Sequence, residues 1–129
     1  MAEGFPATTG DIFTAADYNG LVAFTVGAAQ TADYTAVIAD TYQVLELMNK
    51  ATAIAYKIPT NASVAFPIGT VLNILNIGAG ACTISAVTPG TTTILSAGAT
   101  AASPTLAQYK SAACIKTGTD AWYVVGAIG

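Results

Sequence analysis

The feature that most constrains this chain is a run of 52 residues, from Ile58 to Tyr109, that contains no charged side chain. Turn-favouring residues interrupt the run, with prolines at positions 59, 67, 89 and 104 and glycines at positions 69, 78, 80, 90 and 98. A membrane-spanning helix needs about 18 or more consecutive apolar residues, and the run never reaches that length. We therefore expect short strands joined by turns here, and no membrane span.

From Tyr34 onward, β-forming residues follow a period of two, and turn residues recur about every eight to twelve positions. The pattern predicts eight strands, over residues 34–38, 42–48, 53–58, 70–77, 83–87, 91–96, 109–116 and 121–125. Such spacing is typical of sandwiches, jelly rolls and β-rolls. We predict a mainly β fold, with a single β-sandwich or jelly-roll-like domain over residues 31–129.

Two of the predicted strands differ in how their faces are composed. In strand 53–58, Ile54, Tyr56 and Ile58 share one face, which predicts one buried side. Strand 70–77 carries large apolar residues on both faces, so we expect both to be covered. Asn73 and Asn76 interrupt it, and an asparagine inside such a strand requires hydrogen bonds to its amide.

Residues 1–30 differ from the rest and are predicted to form an N-terminal arm, an attachment or intersubunit element. Thr14–Asp17 has the form of a capping box, which predicts a short helix from Thr14 toward Phe24. Residues 27–30 are interpreted as a linker. The arm is too short to build a core of its own, so its large apolar side chains need another surface; they are Phe5, Ile12, Phe13, Leu21 and Phe24.

Composition argues against several functions. Seven acidic residues, four lysines and no arginine give a net charge of −3, so no basic stripe is present to bind nucleic acid. The chain has no histidine, the side chain most often used for acid–base chemistry near neutral pH and the commonest metal ligand. We therefore expect no enzyme activity, no catalytic residues, no cofactor and no metal site.

Two short patterns have both a chemical and a structural interpretation. Gly78–Cys82 resembles a glycine-rich phosphate loop, but the segment after it is predicted as a strand, which favours a hairpin turn. The acidic residues Asp33, Asp40 and Glu46 suggest a calcium site or a pair of catalytic carboxylates. Their spacing matches neither site, so we expect solvated loop positions.

The two cysteines and the one glycosylation sequon are given structural rather than chemical explanations. Cys82 and Cys114 are too few for a disulfide framework and too far apart for a zinc or redox motif. We expect two small buried hydrophobic side chains, with a bridge between facing strands as the alternative. Asn61-Ala62-Ser63 matches a glycosylation sequon, which we attribute to chance.

Trp122 and Tyr123 are adjacent in the last predicted strand and therefore point to opposite faces. We expect one of them to lie in the core. The other is expected to be half-buried by packing, with an interface, a carbohydrate or a receptor as the alternative contact.

Several segments carry a resemblance to a module of bacteriophage virion proteins, chiefly fibre-like and decoration-like ones. They are residues 34–40, 44–49, 58–59, 61–70, 78–80, 108–109 and 116–126, and together they cover about three quarters of the chain, from Tyr34 to Gly129. Segment 66–69 is interpreted as an anchored turn, and residues 118–120 as a hairpin. The resemblance implies a structural role in a virion and supplies no active-site residues.

The expected function is therefore a small capsid decoration (cement) protein or a short fibre, made in the bacterial host cytoplasm and located in the virion. Fibre-like and decoration-like proteins are typically three-fold, so the resemblance implies a homotrimer in contact with capsid or tail proteins. The alternative is a tail-fibre tip that binds a host receptor or glycan, with Trp122, Tyr123 or Tyr109 stacking on sugars. A depolymerase is the least favoured class.

Overall fold

A computed structural model describes residues 24–42 and 44–129. These residues are mainly β, with ten strands and one short 3-10 helix. The strands are β1 (Thr25–Val26), β2 (Tyr34–Thr35), β3 (Val44–Met48), β4 (Ile54–Ile58), β5 (Val71–Asn76), β6 (Cys82–Ala86), β7 (Thr93–Ser96), β8 (Thr105–Leu106), β9 (Lys110–Gly118) and β10 (Ala121–Gly126); the 3-10 helix covers Ile38–Thr41.

The strands form two mixed sheets. The large sheet has the order β1-β3-β5-β9-β10-β7, and the small sheet has the order β2-β4-β6-β8. From β1 to β8 the chain alternates between the two sheets, so that β1, β3 and β5 are parallel neighbours in one, and β2, β4 and β6 are parallel neighbours in the other. Parallel strands need a crossover connection. Here each crossover is itself a strand of the opposite sheet, a winding typical of β-solenoids.

The last two strands end this winding. β9 pairs antiparallel with both β5 and β10, and residues 118–120 connect β9 to β10 as the predicted hairpin. Five of the eight pairings among the described strands are parallel. A jelly roll is built from antiparallel Greek keys. The topology therefore differs from the jelly-roll-like arrangement that the strand spacing suggested.

Glycines are required where the chain crosses from one sheet to the other. The connection from β5 to β6 lies directly against the earlier connection from β3 to β4, and the Gly80 amide donates to the Lys50 carbonyl at 2.9 Å. A Cβ built on Gly78 would overlap the backbone of Lys50, and one on Gly80 would overlap the backbone of Thr52. The prediction of a hairpin at Gly78–Cys82 is therefore wrong, because this segment leads into the other sheet and does not reverse onto its own strand.

Asn76, at the end of β5, holds this crossing together. Its amide donates to the carbonyls of Gly80 at 2.9 Å and Leu106 at 2.8 Å, and its side-chain oxygen accepts from the Gly78 amide at 3.1 Å. The expectation that a buried asparagine must be hydrogen-bonded is confirmed for Asn76.

Each of the eight predicted strands overlaps a strand of the structure, with shifted ends. The pattern missed the two-residue strands β1 and β8, and it extended β2 into the 3-10 helix. β1 lies within residues 1–30, the predicted N-terminal arm. Part of the segment interpreted as a linker is bonded to the large sheet, since the backbone amide of Gly27 donates to the Leu45 carbonyl at 3.0 Å. The helix predicted from Thr14 lies outside the described residues except at Phe24, which is not helical.

One core lies between the sheets. The small sheet contributes Ile54, Tyr56 and Ile58, as their alternation predicted, and the remaining buried apolar side chains come from both sheets and from Ala36 and Phe66 of the connections. β5 buries Leu72 and Ile74 against the core, whereas Val71 on its outer face is exposed in the single chain, so the expected covering of that second face stays a prediction. The charge-free run from Ile58 to Tyr109 contains β5 to β8, so it forms short strands as expected. No described helix has the length and apolarity to cross a membrane.

Candidate interaction surface

The outer face of the large sheet carries rows of apolar side chains. Strand register places Val26, Leu45, Asn73, Ala113 and Val125 side by side across five strands. Along β3, β5, β9 and β10 these positions alternate with buried ones, so their side chains point away from the core, and the exposed Val26 of β1 extends the row beside Leu45. The row therefore crosses most of the sheet with a single polar member, Asn73.

Two more rows flank this one. Val71, Ile115, Tyr123 and Leu95 form the row on one side, and Leu47, Leu75 and Ser111 form the row on the other. None of the side chains that point outward from the described strands of the large sheet is charged. We call these three rows the apolar face.

The apolar face is uneven because its side chains differ in size. Ala113 is small, and a shallow groove of about 280 Å³ runs past it, lined by Leu45, Asn73 and Val125 among others. Larger side chains stand on both sides, including Tyr123, which is 47% exposed. The face is thus a groove between two ridges, a shape that packs against another β-sheet surface.

The small sheet has a different outer face. Its outward positions are Thr35, Ala55, Lys57, Thr83, Ser85 and Thr105. Four hydroxyl groups and one amine form hydrogen bonds with water readily. This surface, which we call the hydroxyl face, therefore has no need of a partner.

The charged groups near the core serve the fold. Lys116 is 2% exposed, and its amine donates to the Asn61 side-chain oxygen and to the Phe66 carbonyl, both at 2.7 Å. Burial lowers the pKa of Lys116, and nearby Asp120 opposes that change. The Asp120 carboxylate also accepts a hydrogen bond from the backbone amide of Asn61 at 2.8 Å. The sequon asparagine therefore fixes the loop between β4 and β5 against β9.

Two of the three acidic candidates lie together inside the protein. The Asp40 carboxylate accepts a hydrogen bond from the Tyr34 hydroxyl at 2.7 Å, and that of Glu46 accepts one from the side-chain amide of Gln30 at 3.0 Å. Both carboxyl groups are buried, and burial is the main cause that raises the pKa of Glu46, with the Asp40 charge adding to it. The expectation of solvated positions is therefore wrong for Asp40 and Glu46.

Asp33 does not join that pair. It is exposed, and its carboxylate accepts from the Ala55 amide at 2.9 Å. Within the described residues, no three histidine, cysteine or acidic side chains come together to hold a metal ion. The two buried carboxyl groups could have been recognised in part from the sequence, because Glu46 alternates with Met48 on the inward side of β3.

Both cysteines are buried and unbonded, as the preferred interpretation predicted. Burial raises the pKa of the Cys82 thiol to about 11 and that of the Cys114 thiol still further. Both therefore stay protonated near neutral pH, and a protonated thiol is a poor nucleophile and metal ligand.

The aromatic residues divide as predicted. Trp122 is 2% exposed and packs edge-on against Phe66, with ring centroids 5.6 Å apart, whereas Tyr123 lies on the apolar face. Trp122 is thus enclosed and offers no ring face to a sugar. Tyr109 is 75% exposed, and its backbone φ is 66°, a value that residues other than glycine rarely adopt.

One further cleft, of about 420 Å³, lies beside the segment from β6 to β7. Small, hydroxyl-bearing and apolar residues line it, among them Ser85, Pro89, Thr92 and Leu95. With no carboxylate, amine or thiol in its lining, the cleft supplies no general base that could activate its serine and threonine hydroxyls.

Most of the segments on which the expected resemblance rests lie in turns, strands or the core of the structure. Phe66 is buried below the loop that Pro67 and Gly69 shape, and Gly69 has a φ of 94° that suits glycine. No family model, curated protein or solved structure matches the chain.

Proposed function

We propose that this chain is a non-enzymatic structural component of a bacteriophage virion, a small homotrimeric capsid decoration (cement) protein or a short fibre built on a β-sandwich. The observation that carries the proposal is the apolar face, a charge-free surface on a six-stranded sheet. A surface of this kind is favourable when an assembly covers it.

The distribution of titratable groups supports a structural role. Lys116, Asp40 and Glu46 are buried and satisfied by hydrogen bonds that connect strands to loops. Reactive groups of enzymes need access to a substrate, and these side chains have little. Their hydrogen bonds hold the two sheets and their connections in place, as expected of a rigid structural protein.

A second candidate is a tail-fibre tip that binds a host receptor or glycan. Tyr109 favours it, because an exposed aromatic ring held on an unusual backbone conformation is a common feature of binding sites. Since Trp122 is enclosed, Tyr109 and Tyr123 are the aromatic residues left for stacking on sugars.

Electron cryo-microscopy of the phage that encodes the chain tests the proposal. Particles made without the protein should lack a discrete three-fold density on the head or tail, and adding the purified protein should restore that density. Particles that never contain the protein would contradict the virion role. A loss of host adsorption in a Tyr109→Ala variant, with normal incorporation into particles, would favour the receptor-binding candidate.

A further inference from the structure

We infer that the apolar face is the surface through which copies of this chain bind one another, with the groove at Ala113 at the centre of the contact. This inference rests on the oligomeric part of the proposed function and names the surface that forms the oligomer. The occupant of the apolar face is a second copy of the same chain.

The electrostatics of the face favour a second copy as partner. Because no outward side chain of the described large-sheet strands is charged, two such faces meet without like-charge repulsion and without burying an unpaired ion. Its polar members, such as Asn73 and Ser111, are amide and hydroxyl groups that donate and accept, so each can pair with a polar group of a neighbouring copy. A nucleic acid or an anionic lipid surface would require cations that the face lacks.

The shape of the face also suits such a contact. A sheet surface packs on another at about 10 Å, with the side chains of each filling spaces in the other. The groove beside Ala113 can accept a ridge of the kind formed by Val71, Ile115 and Tyr123, which lies one row away on the same face. Each copy therefore carries both the groove and the ridge, so the ridge of one copy can enter the groove of the next and the contact can repeat around a three-fold axis.

The size of the face is sufficient. Six strands spaced about 4.8 Å apart, with five or six residues of about 3.3 Å each, project to about 500 Å² before the relief of the side chains is added. A standard interface covers about 800 Å² per partner, which is of the same order. Exposed apolar members such as Val125 at 49% and Leu95 at 43% have most to gain from the contact.

A matched pair of lysine substitutions tests this surface. Val125 lies on the apolar face and is 49% exposed, whereas Val87 is 48% exposed and follows β6 of the small sheet. Light scattering behind a sizing column should show the wild type and Val87→Lys at about three times the 12.9 kDa of one chain, and Val125→Lys at a third of that mass. Circular dichroism should show that all three proteins are folded.

Tyrosine nitration tests the same surface in the wild type, without dependence on the folding of a variant. Tyr123 should react several-fold more slowly in the assembled protein than after dilution, whereas Tyr42 and Tyr109, which lie off the apolar face, should react equally in both.

The outcomes separate the two claims. A wild-type oligomer in which Val125→Lys stays assembled, or in which Tyr123 reacts as fast as it does after dilution, would overturn the inference and leave the oligomeric proposal standing. A wild type that is a single 12.9 kDa species at all concentrations would overturn both.

Discussion

The two sheets of this protein share one core but present different surfaces. Inward positions of both sheets are mostly apolar, and the large sheet adds three buried polar side chains that are hydrogen-bonded, Glu46, Asn76 and Lys116. Outward, the large sheet carries mainly Leu, Val, Ile and Tyr, with a few uncharged polar residues, whereas the small sheet carries mainly Thr and Ser with one lysine. Burial of the core dictates the inward residues on every strand, but it places no such demand on the outward ones. The two sheets can therefore differ at their outward positions, and the residue types there support the proposal that the apolar face is covered.

The largest expected effect comes from breaking the corner that connects the two sheets. A Gly80→Ala substitution forces a Cβ into the Thr52 backbone, so we expect a loss of about 3 kcal/mol in the free energy of unfolding, by overpacking that no flexible side chain can relieve. Chemical denaturation measures this loss. Gly90→Ala is the matched control, because no atom lies within 4 Å of its added Cβ, and its effect should stay within about 0.5 kcal/mol. Equal effects would contradict the close stacking of the corners.

An exchange of residue types between the two faces is expected to have the next largest effect. Ile115→Thr keeps a β-branched residue but removes apolar area from the ridge beside the groove of the apolar face, which should weaken association by about 1–2 kcal/mol, or roughly tenfold. Sedimentation equilibrium measures the association constant. Thr83→Ile makes the reverse change on the hydroxyl face and should leave that constant unchanged. If Thr83→Ile altered the constant as strongly as Ile115→Thr, the distinction between the faces would be lost.

A smaller effect is expected from the carboxyl pair between the sheets. Burial raises the pKa of Glu46, so the folded chain binds this proton more strongly than the unfolded chain does. The stability it provides is complete below the unfolded pKa of about 4.3 and is lost as the pH rises through the folded pKa. Glu46→Gln preserves an acceptor for Gln30 and removes this charge, so near pH 7 it should stabilise the protein by about 1 kcal/mol. Thermal unfolding at pH 4 and pH 7 measures it.

Asp33 provides the control for that experiment. Its carboxylate is exposed, so Asp33→Asn should not reproduce the pH-dependent gain. A Glu46→Gln variant that is less stable than the wild type at pH 7, and equally stable at pH 4, would contradict the direction of the Glu46 pKa shift.

The smallest effect is expected from salt. Contacts through the apolar face involve no charged side chain, so raising the ionic strength from about 0.05 M to 1 M should not dissociate the oligomer. Light scattering across this range measures the mass. Dissociation with increasing salt at neutral pH would place the contact on charged residues, among which Lys57 of the hydroxyl face would be a candidate.

Local pattern predicted the strands well but not the way they are joined. The alternation of Ile54, Tyr56 and Ile58 specified both the strand and its buried side, because each depends only on near neighbours. The crossing at Gly78 and Gly80 was misinterpreted because a hairpin and a tight crossing both require glycine. The partner of a strand here lies 28 positions away, as for Ile54 and Cys82, and no local signal specifies it.

The buried charges were missed for a related reason. A lysine or glutamate in a strand is expected to face water, and only its hydrogen-bond partners make burial possible. For Lys116 those partners are Asn61 and the Phe66 carbonyl, about fifty positions earlier in the chain. The sequence contained one usable signal, since Lys116 follows Ala112 and Cys114 at a spacing of two on the inward side of β9.

Hydroxyl-radical footprinting of the wild-type protein tests the difference between the two faces most directly, because it measures side-chain accessibility on both at once. On assembly, Leu47, Leu95 and Tyr123 of the apolar face should each lose most of their reactivity, while Lys57 and Thr83 of the hydroxyl face should keep theirs. Equal protection of both faces, or protection of the hydroxyl face alone, would contradict the assignment of the apolar face as the contact surface.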